Sequence, residues 1–456
     1  MTGPDDEAPV LSAYRRGDWQ PSLDTAPLPG ATRARLALVP HIVAHSDRRW
    51  WDGVRADLPA LSGRRELVLS ALELFRHGTV TVGGIGPQSA DAFRAALWES
   101  AGLPGPLVER WGAMLYEGAA RREAVAPDDA LALVALPGNT FSCLDSVLEQ
   151  AERSACVWVR PSRREPLSAA RLLAALLAVG WPPRRLGLYP TEQHTLHGLL
   201  KLTDRHIVYG GAGLAASVRD SPALTLHGPG RGCALVSPGT AAGAAGATSP
   251  AGSADSLDPH DPLAPVDSVD SIDPVDGHVD GPVEGSVDET VAWLLPLIAA
   301  DSGRFCSNVR TVVCVDHDPE PLAKALAAAL DALHPGPAPD PADPRWPLTA
   351  FRDPGEADRA AASVRDRLRP DDRLLTREPT VVTSTGVGTG TGVDVYVRPQ
   401  LALLHIDPDA PSHPLIGHEV PFPFAAVLGT TAEAARALAD EALFVYRPPA
   451  TPGGAP

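Results

Sequence analysis

The most informative reactive side chain in this chain is Cys306. It ends the run Asp301-Ser-Gly-Arg-Phe-Cys306, just after an apolar, helix-like run over 291–300 and just before a β-rich run over 309–315. A thiol at a helix-to-strand junction can meet a bound carbonyl, while helix dipoles and loop amides favour its thiolate. A lone Cys is more often a small buried hydrophobe, so this position suggests a nucleophile without establishing one.

The elements upstream of Cys306 alternate between apolar β-like runs and helical patterns. The pattern predicts strands over 130–136, 155–159, 186–189 and 206–209, and helices over 141–154, 167–179 and 192–202. Apolar strands separated by helices of this length imply an α/β fold with a parallel, doubly wound sheet. Ligands of such sheets bind beyond the carboxyl ends of the strands, so the residues at those ends are candidates for a binding site.

Polar and glycine residues follow three of these strands. They are Asn139, Arg160, Ser162, Arg163, Arg164, Gly210 and Gly211. The amide can donate to a developing oxyanion, the guanidiniums suit ribose and phosphate oxygens, and the glycine pair lets backbone approach a pyrophosphate. Each group also has a structural explanation as a turn, a solvated helix start or a chain reversal. Their occurrence at successive strand ends favours a dinucleotide site.

Taken in order, the motifs resemble those of the aldehyde dehydrogenase superfamily, most closely its acyl-thioester-reducing branch, such as the fatty acyl-CoA reductase of bacterial bioluminescence. Pro137-Gly-Asn139-Thr-Phe141 is similar to the family's P-W-N-F, and the run 157–167 to its V-x-L-K-P-S-E-x-T-P-L. The run 226–236 sits at its L-E-L-G-G-K motif, and Gly417-His-Glu419-Val-Pro-Phe-Pro423 resembles its E-x-F-G-P segment. The resemblance covers residues 130 to 445. It implies a cofactor domain and an α/β catalytic domain.

The resemblance also implies roles for the matched residues. Cys306 would be the nucleophile and Asn139 would line the oxyanion hole. Arg160, Ser162 and Arg163 would hold the adenosine ribose, Gly210 and Gly211 would approach the pyrophosphate, and Glu419 would bind the nicotinamide ribose.

Two departures from the family pattern modify the expected function. The family's general-base Glu is replaced by His227. Water attack on a thioacyl enzyme should therefore be slow, although His227 could itself act as a base or simply end a strand. The carboxylate that NAD-preferring members place at the adenosine ribose is replaced by Arg163, which would accept a 2′-phosphate and favour NADPH.

The expected activity is thus NADPH-dependent reduction of an acyl-CoA or carrier-protein thioester to an aldehyde through a thioacyl Cys306. Two alternatives stay open: a non-catalytic scaffold or partner subunit with this fold, and NAD(P)-dependent aldehyde oxidation. The chain continues less far beyond Glu419 than typical members. The shorter C-terminal part favours the scaffold alternative, and assembly into a homo-oligomer stays an open alternative.

Composition excludes other classes of protein. A net charge of −17 argues against a nucleic-acid partner. Five Cys without a CxxC pair predict a reduced, intracellular protein with no structural zinc. The acidic opening lacks a signal-peptide pattern, and the longest apolar run, 172–181, is too short to span a bilayer. We therefore expect a cytoplasmic protein with neither a metal site nor a membrane span.

The segment 237–288 differs from the rest of the chain. It begins as an Ala/Gly/Ser run, and eleven acidic residues lie between Asp255 and Glu289. Such a composition cannot bury a core, which predicts a disordered acidic insert. The expected organisation is a helical region and dinucleotide-binding domain over 1–236, the insert over 237–288, a catalytic domain over 289–446 and a disordered tail over 447–456.

Overall fold

The computed structural model describes residues 8–29, 34–218, 223–237, 287–333, 348–385 and 393–448. Nearly all of the predicted insert and most of the predicted tail lie outside these residues. The chain divides into two compact units. The first contains Met1–Pro229, Thr349–Glu356 and Thr383–Tyr396, and the second contains Gly230–Leu348, Ala357–Val382 and Val397–Pro456.

The secondary structure of the described residues consists of helices and strands that are numbered in chain order. The α-helices are α1 (His41–Val54), α2 (Arg64–His77), α3 (Ala90–Ala101), α4 (Gly105–Arg121), α5 (Leu144–Arg153), α6 (Leu167–Ala178), α7 (Leu196–Leu202), α8 (Ala212–Val218), α9 (Val287–Ala299), α10 (Glu320–Asp331), α11 (Pro354–Arg365) and α12 (Ala432–Asp440). The strands are β1 (Val10–Leu11), β2 (Ala13–Arg15), β3 (Asp18–Gln20), β4 (Thr25–Pro27), β5 (Arg35–Ala37), β6 (Val80–Val82), β7 (Gly86–Gln88), β8 (Leu131–Ala135), β9 (Cys156–Arg160), β10 (Leu186–Leu188), β11 (Arg205–Tyr209), β12 (Leu224–His227), β13 (Gly232–Val236), β14 (Val309–Val315), β15 (Arg373–Leu374), β16 (Val381–Thr385), β17 (Val393–Val397), β18 (Gln400–Leu403), β19 (Phe424–Thr430) and β20 (Val445–Tyr446).

The main sheet of the first unit has seven strands in the order β12-β11-β8-β9-β10-β2-β3. Its first five strands are parallel, and β2 and β3 add to them antiparallel. With β8 counted as first, the parallel strands follow the spatial order 3-2-1-4-5 of a doubly wound dinucleotide fold. Every residue of β8 and β9 is buried, as expected for parallel strands covered on both faces. The predicted α/β class is confirmed.

Helices α2 and α3 and the pair Trp50–Trp51 contribute to the packing of this unit. The amphipathic runs 66–75 and 90–100 form most of α2 and α3. Trp51 is 1% exposed and lies in the core beneath β8 and β9, with Trp50 packed against it. Helix α3 begins where the Ser89 side chain accepts a hydrogen bond from the Ala92 amide, and it ends at Gly102 with φ 67°.

The main sheet of the second unit has six strands in the order β15-β18-β19-β14-β13-β20. All its neighbouring strands are parallel except β15. Helices α9 and α10 cover one face with Leu294, Ile298, Leu322, Leu326 and Leu330, which share a core with β14 and β19. The β-rich run over 309–315 forms β14, as expected, and β19, α12 and β20 follow one another later in this unit.

One boundary differs from the sequence expectation. The predicted dinucleotide-binding domain over 1–236 includes β13, but this strand pairs with β14 in the sheet of the second unit. Only residues 228–231 separate β12 from β13. The apolar pattern runs through both strands, so it carries no sign that the chain changes sheets there.

Among the described residues, no helix has the length and apolarity needed to cross a membrane. In the same part of the chain, no group of three or more His, Cys, Asp and Glu side chains is arranged to hold a metal ion.

Candidate active site

The register of the first sheet brings the predicted strand ends to one edge. Ala135 at the end of β8 is paired with Arg160 of β9 and with Val208 of β11, and Tyr209 is paired with His227 of β12. Because parallel strands end on the same side, the segments that follow them lie side by side. The structure thus places the first-unit candidates along the carboxyl edge of one sheet.

Gly138 lies close to Ser162 at this edge. A Cβ added at Gly138 would lie 2.5 Å from the Ser162 Oγ and 2.9 Å from the Arg164 Cβ. A side chain at this position would therefore displace Ser162 or Arg164. The Ser162 Oγ also accepts a hydrogen bond of 3.2 Å from the Arg164 amide, which shapes the turn after β9. Asn139 follows directly after Gly138 in the same partly buried loop.

Arg160 is buried and already has partners. Its Nε donates to the Thr191 Oγ1 at 3.2 Å, and its Nη2 donates to the Gln193 Oε1 at 3.0 Å. Burial, with the nearby Arg163 charge, lowers the pKa of Arg160 to about 10. The side chain thus ties the end of β9 to the turn after β10, and its positive charge is held inside the protein beneath the sheet edge.

Arg163 and Arg164 are each paired with a carboxylate. The Arg163 Nη1 donates to both oxygens of Glu192, at 2.7 and 2.8 Å. The Arg164 Nη1 lies 3.0 Å from the Glu356 Oε1. Arg163 is 49% exposed and Glu192 is 41% exposed, so this pair is accessible from solvent. The arginines are recognisable from the sequence, but neither acidic partner is.

The two glycines after β11 differ in their surroundings. A Cβ at Gly210 would lie 2.4 Å from the Leu214 Cδ2, so this glycine makes room for packing. A Cβ at Gly211 would have no heavy atom of the described residues within 4 Å, so the backbone there is open to a ligand. Together with the accessible arginine after β9, this open backbone fits a dinucleotide across the carboxyl edge of the sheet.

His227 is a packed side chain at the end of β12. Its ring stacks on the Tyr209 ring, with centroids 4.3 Å apart and planes 8° apart, and the Tyr209 hydroxyl is 2.7 Å from the Ser146 Oγ. Burial lowers the pKa of His227, while the Glu149 carboxylate opposes this shift. His227 and Glu149 line one cavity of about 520 Å³ between α5 and strands β11 and β12.

In the second unit, a left-handed turn leads into the Cys306 loop. Asp301, Ser302 and Gly303 have φ values of 54°, 58° and 64°. A Cβ at Gly303 would lie 2.7 Å from the Phe422 carbonyl, so the turn packs directly against the segment that follows Glu419. Non-glycine residues in this conformation are costly, and the surrounding structure must hold them there.

The side chain of Asn308 holds this loop. Its Nδ2 donates to the Leu297 and Ala300 carbonyls, both at 3.1 Å, and its Oδ1 accepts from the Phe305 amide at 2.8 Å. One buried amide thus joins the end of α9 to the residue before Cys306. A neutral amide suits this position because it must both donate and accept.

Arg310, the second residue of β14, joins the Cys306 loop to the Glu419 segment. Its guanidinium donates to the carbonyl of Gly303, to that of Phe422 at 3.2 Å and to that of Val420 at 3.1 Å. The side chain is 1% exposed, and burial lowers its pKa to about 10. A buried positive charge therefore lies close to both Cys306 and Glu419.

Glu419 and Cys306 both contact Gly230. The Glu419 Oε1 accepts a hydrogen bond of 2.7 Å from the Gly230 amide. A Cβ at Gly230 would lie 1.9 Å from the Cys306 carbonyl oxygen and 3.1 Å from the Cys306 Cβ. Only glycine fits this position, and its lack of a side chain lets the two functional candidates approach the same stretch of backbone.

The electrostatics of Cys306 differ from the sequence expectation of a favoured thiolate. Burial and the Glu419 charge raise its pKa to about 11, and they outweigh the Cys306 and Ser307 amides and Arg310, which lower it. The loop amides do act in the expected direction. The thiol nevertheless stays protonated at neutral pH, because desolvation and a nearby carboxylate both oppose a second negative charge.

The other four cysteines separate into two groups. Cys156, Cys233 and Cys314 are buried, whereas Cys143 is partly exposed like Cys306.

Four further residues of the candidate site could not be predicted from the sequence: Asn308, Arg310, Glu192 and Tyr209. Asn308 and Arg310 follow Cys306 at short spacing, but neither has a sequence signal that distinguishes a buried clamp from an ordinary surface residue. Glu192 lies in a different loop from its partner.

The chain shares its overall fold with solved aldehyde dehydrogenases. It is 16% identical to γ-glutamyl-γ-aminobutyraldehyde dehydrogenase from Burkholderia cenocepacia, with a TM-score of 0.65 over 98% of this chain and 85% of that chain. It is 14% identical to an aldehyde dehydrogenase C mutant from Pseudomonas syringae complexed with NAD⁺ and octanal, with a TM-score of 0.64 over 94% and 82% of the two chains. It is 13% identical to an aldehyde dehydrogenase from Brucella melitensis biovar abortus 2308, with a TM-score of 0.64 over 97% of this chain and 85% of that chain.

No protein-family model matches the chain, and no curated protein matches it. The structural likeness extends over nearly the whole chain, so this protein has the aldehyde dehydrogenase fold. The predicted resemblance to that superfamily is confirmed at the level of fold. The acyl-thioester-reducing branch and the individual site roles stay predictions.

Proposed function

We propose that this protein is an NADPH-dependent oxidoreductase that reduces an acyl-CoA or acyl-carrier-protein thioester to an aldehyde. Cys306 is the proposed nucleophile, and Asn139 has the oxyanion-binding role that the resemblance implies. Arg160, Ser162, Arg163 and Gly211 would hold the adenosine half of the cofactor, with Glu419 at the nicotinamide ribose. The aldehyde dehydrogenase fold, the doubly wound strand order and the open edge at Gly211 support an oxidoreductase of this class.

In the proposed reaction, the Cys306 sulfur is first the nucleophile and later the leaving group. The thiol loses its proton and attacks the thioester carbonyl, and the tetrahedral oxyanion collapses to release the substrate thiol and leave an acyl-Cys306 thioester. When bound, NADPH supplies the hydride that reduces the acyl carbon. The resulting thiohemiacetal breaks its carbon–sulfur bond to release the aldehyde and restore Cys306. The high pKa of the free thiol means that a base must take its proton at neutral pH.

The observation that carries this proposal is the environment of His227. Its stacking on Tyr209, whose hydroxyl contacts Ser146, supports a packing role where aldehyde oxidisers have a carboxylate base. An acyl enzyme that is not hydrolysed survives until hydride transfer. This property is what a thioester reductase requires and what an aldehyde oxidiser must avoid.

A second candidate function is NAD(P)-dependent oxidation of an aldehyde to a carboxylic acid. It is favoured by Glu149, which lines the same cavity as His227 and acts electrostatically on it. Burial lowers the pKa of His227, so the ring is neutral near pH 7 and has a basic nitrogen. A neutral imidazole beside a carboxylate can activate water, and the acyl enzyme would then be hydrolysed.

One experiment separates these functions. Purified protein is mixed with NADPH and a panel of acyl-CoA thioesters, and with NAD⁺ or NADP⁺ and the matching aldehydes, while absorbance at the nicotinamide band is followed. The proposal predicts NADPH consumption with thioesters, loss of turnover in Cys306→Ala and retained turnover in Cys143→Ala, the matched control at the other partly exposed thiol. Turnover only with aldehydes would favour oxidation. No turnover in either direction would favour a non-catalytic role.

A further inference from the structure

The Arg163–Glu192 pair lies where a doubly wound sheet reads the ribose of a dinucleotide. Arg163 follows β9, the second strand of the 3-2-1-4-5 order, and Glu192 follows β10, the third. In such sheets an acidic residue after the second strand hydrogen-bonds the 2′-hydroxyl of NAD, and an arginine there accommodates the 2′-phosphate of NADP. This chain has both groups, contributed by neighbouring strand ends and paired with each other.

The neighbouring contacts fix the position of Glu192. Arg160 donates to Thr191 and Gln193, on either side of Glu192, and thereby ties this turn to the end of β9. The carboxylate consequently meets Arg163 in a two-oxygen contact at 2.7 and 2.8 Å. The carboxylate oxygens of Glu192 therefore compete with phosphate oxygens for the same N–H donors of Arg163.

We propose that Glu192 determines cofactor choice in this protein: its carboxylate occupies Arg163 and must give up that contact before Arg163 can bind a 2′-phosphate. This inference rests on the proposed binding of a nicotinamide dinucleotide at this sheet edge. Glu192 thus limits the preference for NADPH that Arg163 alone would create. The same carboxylate is placed to accept a hydrogen bond from an unphosphorylated 2′-hydroxyl, so NADH stays an acceptable ligand.

The exposure of the pair makes this competition measurable. Arg163 and Glu192 are both nearly half exposed, and exposed ion pairs are weak enough for a doubly charged phosphate to displace the carboxylate. Removing the Glu192 charge frees Arg163 and also removes a repulsion of the phosphate. We therefore expect about a tenfold gain in affinity for the phosphorylated cofactor, and less at high salt.

Isothermal titration calorimetry with NADP⁺ and NAD⁺, which differ only in the 2′-phosphate, tests the proposal on the whole 456-residue chain. The variants are Glu192→Gln, Arg163→Gln and the double variant, at low and high salt. The matched control is Glu356→Gln, which removes the carboxylate partner of the adjacent Arg164. Thermal unfolding of each variant verifies that the fold is retained.

The proposal predicts that Glu192→Gln binds NADP⁺ about tenfold more tightly, with NAD⁺ affinity unchanged or weaker by a factor of about three. Arg163→Gln should bind the two cofactors with nearly equal affinity, and the double variant should resemble it. An unchanged NADP⁺ affinity in Glu192→Gln would overturn the proposed role of Glu192 but not the proposed function of the protein. An equal gain in Glu356→Gln would overturn it as well, since it would show a general charge effect. Absence of binding by both cofactors to the wild-type protein would instead overturn the proposed function together with this inference.

Discussion

Replacing Glu419 by Gln should make Cys306 more acidic. The Glu419 charge is the second cause, after burial, of the raised pKa of about 11 at Cys306. Glutamine keeps an oxygen that can accept the hydrogen bond from the Gly230 amide, so the substitution removes the charge with little change of shape. Alkylation of the cofactor-free protein reports this change directly, because only the thiolate reacts.

The expected size of the effect follows from the geometry around Gly230. The Glu419 Oε1 is 2.7 Å from the Gly230 nitrogen, and a Cβ at Gly230 would lie 3.1 Å from the Cys306 Cβ. With ordinary bond lengths, the carboxylate oxygen is within about 10 Å of the thiol. Two unit charges at about 10 Å interact by about 1.7 kcal/mol at an effective dielectric constant of about 20, which is slightly more than one pKa unit.

The labelling rate changes less than the thiolate population. At pH 7.5 a drop of about one pKa unit raises the thiolate population about tenfold, but a more acidic thiolate is a weaker nucleophile by a factor of about three. The net expectation is that iodoacetamide labels Cys306 about threefold faster in Glu419→Gln. The midpoint of the pH–rate profile should move down by about one unit at low salt.

The assay is a pH series of iodoacetamide labelling with peptide mapping, in which Cys143 of the same molecules serves as an internal reference. Glu433→Gln is the matched control, because Glu433 is a residue of the same unit in the first turn of α12. It removes one charge of the same sign and should leave the Cys306 profile unchanged. A Cys306 midpoint in Glu419→Gln that is unchanged, or higher, would refute the assigned electrostatic role of Glu419.

Three further predictions concern side chains of the second unit: Asn308 and Arg310, which support the Cys306 loop, and His418, which precedes Glu419. Asn308→Asp loses the two hydrogen bonds donated to Leu297 and Ala300, so the free energy of unfolding should fall by about 2 kcal/mol in urea denaturation. An unchanged denaturation midpoint would contradict the stabilising role of the Asn308 side chain. Arg310→Met leaves three buried carbonyls without their donor, so the free energy of unfolding should fall by about 3 kcal/mol in urea denaturation. The same substitution should slow the labelling of Cys306, because Arg310 lowers the pKa of that thiol. Burial, with Arg367 and Arg310, lowers the pKa of His418 from 6.5 to about 4, so the unfolded state takes up a proton that the folded state does not. Stability should therefore fall as pH drops from about 6.5 to about 4, by at most about 1.4 kcal/mol per pH unit, and His418→Gln should remove this part of the slope in pH-dependent urea denaturation.

Much of the fold could be read from local sequence patterns. Apolar runs bounded by turn residues identified β8, β9, β11 and β14, because a parallel strand buried on both faces has no polar alternation. The periodic run that became α6 was equally clear. The resemblance of ordered motifs then indicated the aldehyde dehydrogenase fold, which the structural likeness confirms. The change of sheet between β12 and β13 was missed, because both strands are apolar and no local signal records which sheet a strand joins.

Within the candidate site, the sequence by itself determined the residue types and their order: a thiol after a helix, guanidiniums after one strand, glycines after another and a carboxylate near the end of the chain. It could not determine their partners. Glu192 lies 29 residues from Arg163 along the chain. Glu419 lies 189 residues from Gly230, whose amide donates a hydrogen bond to it. Such contacts depend on how strands separated along the chain are placed side by side. The pKa of Cys306 was decided in the same way, since the thiol becomes buried and close to the Glu419 charge only when the second unit folds.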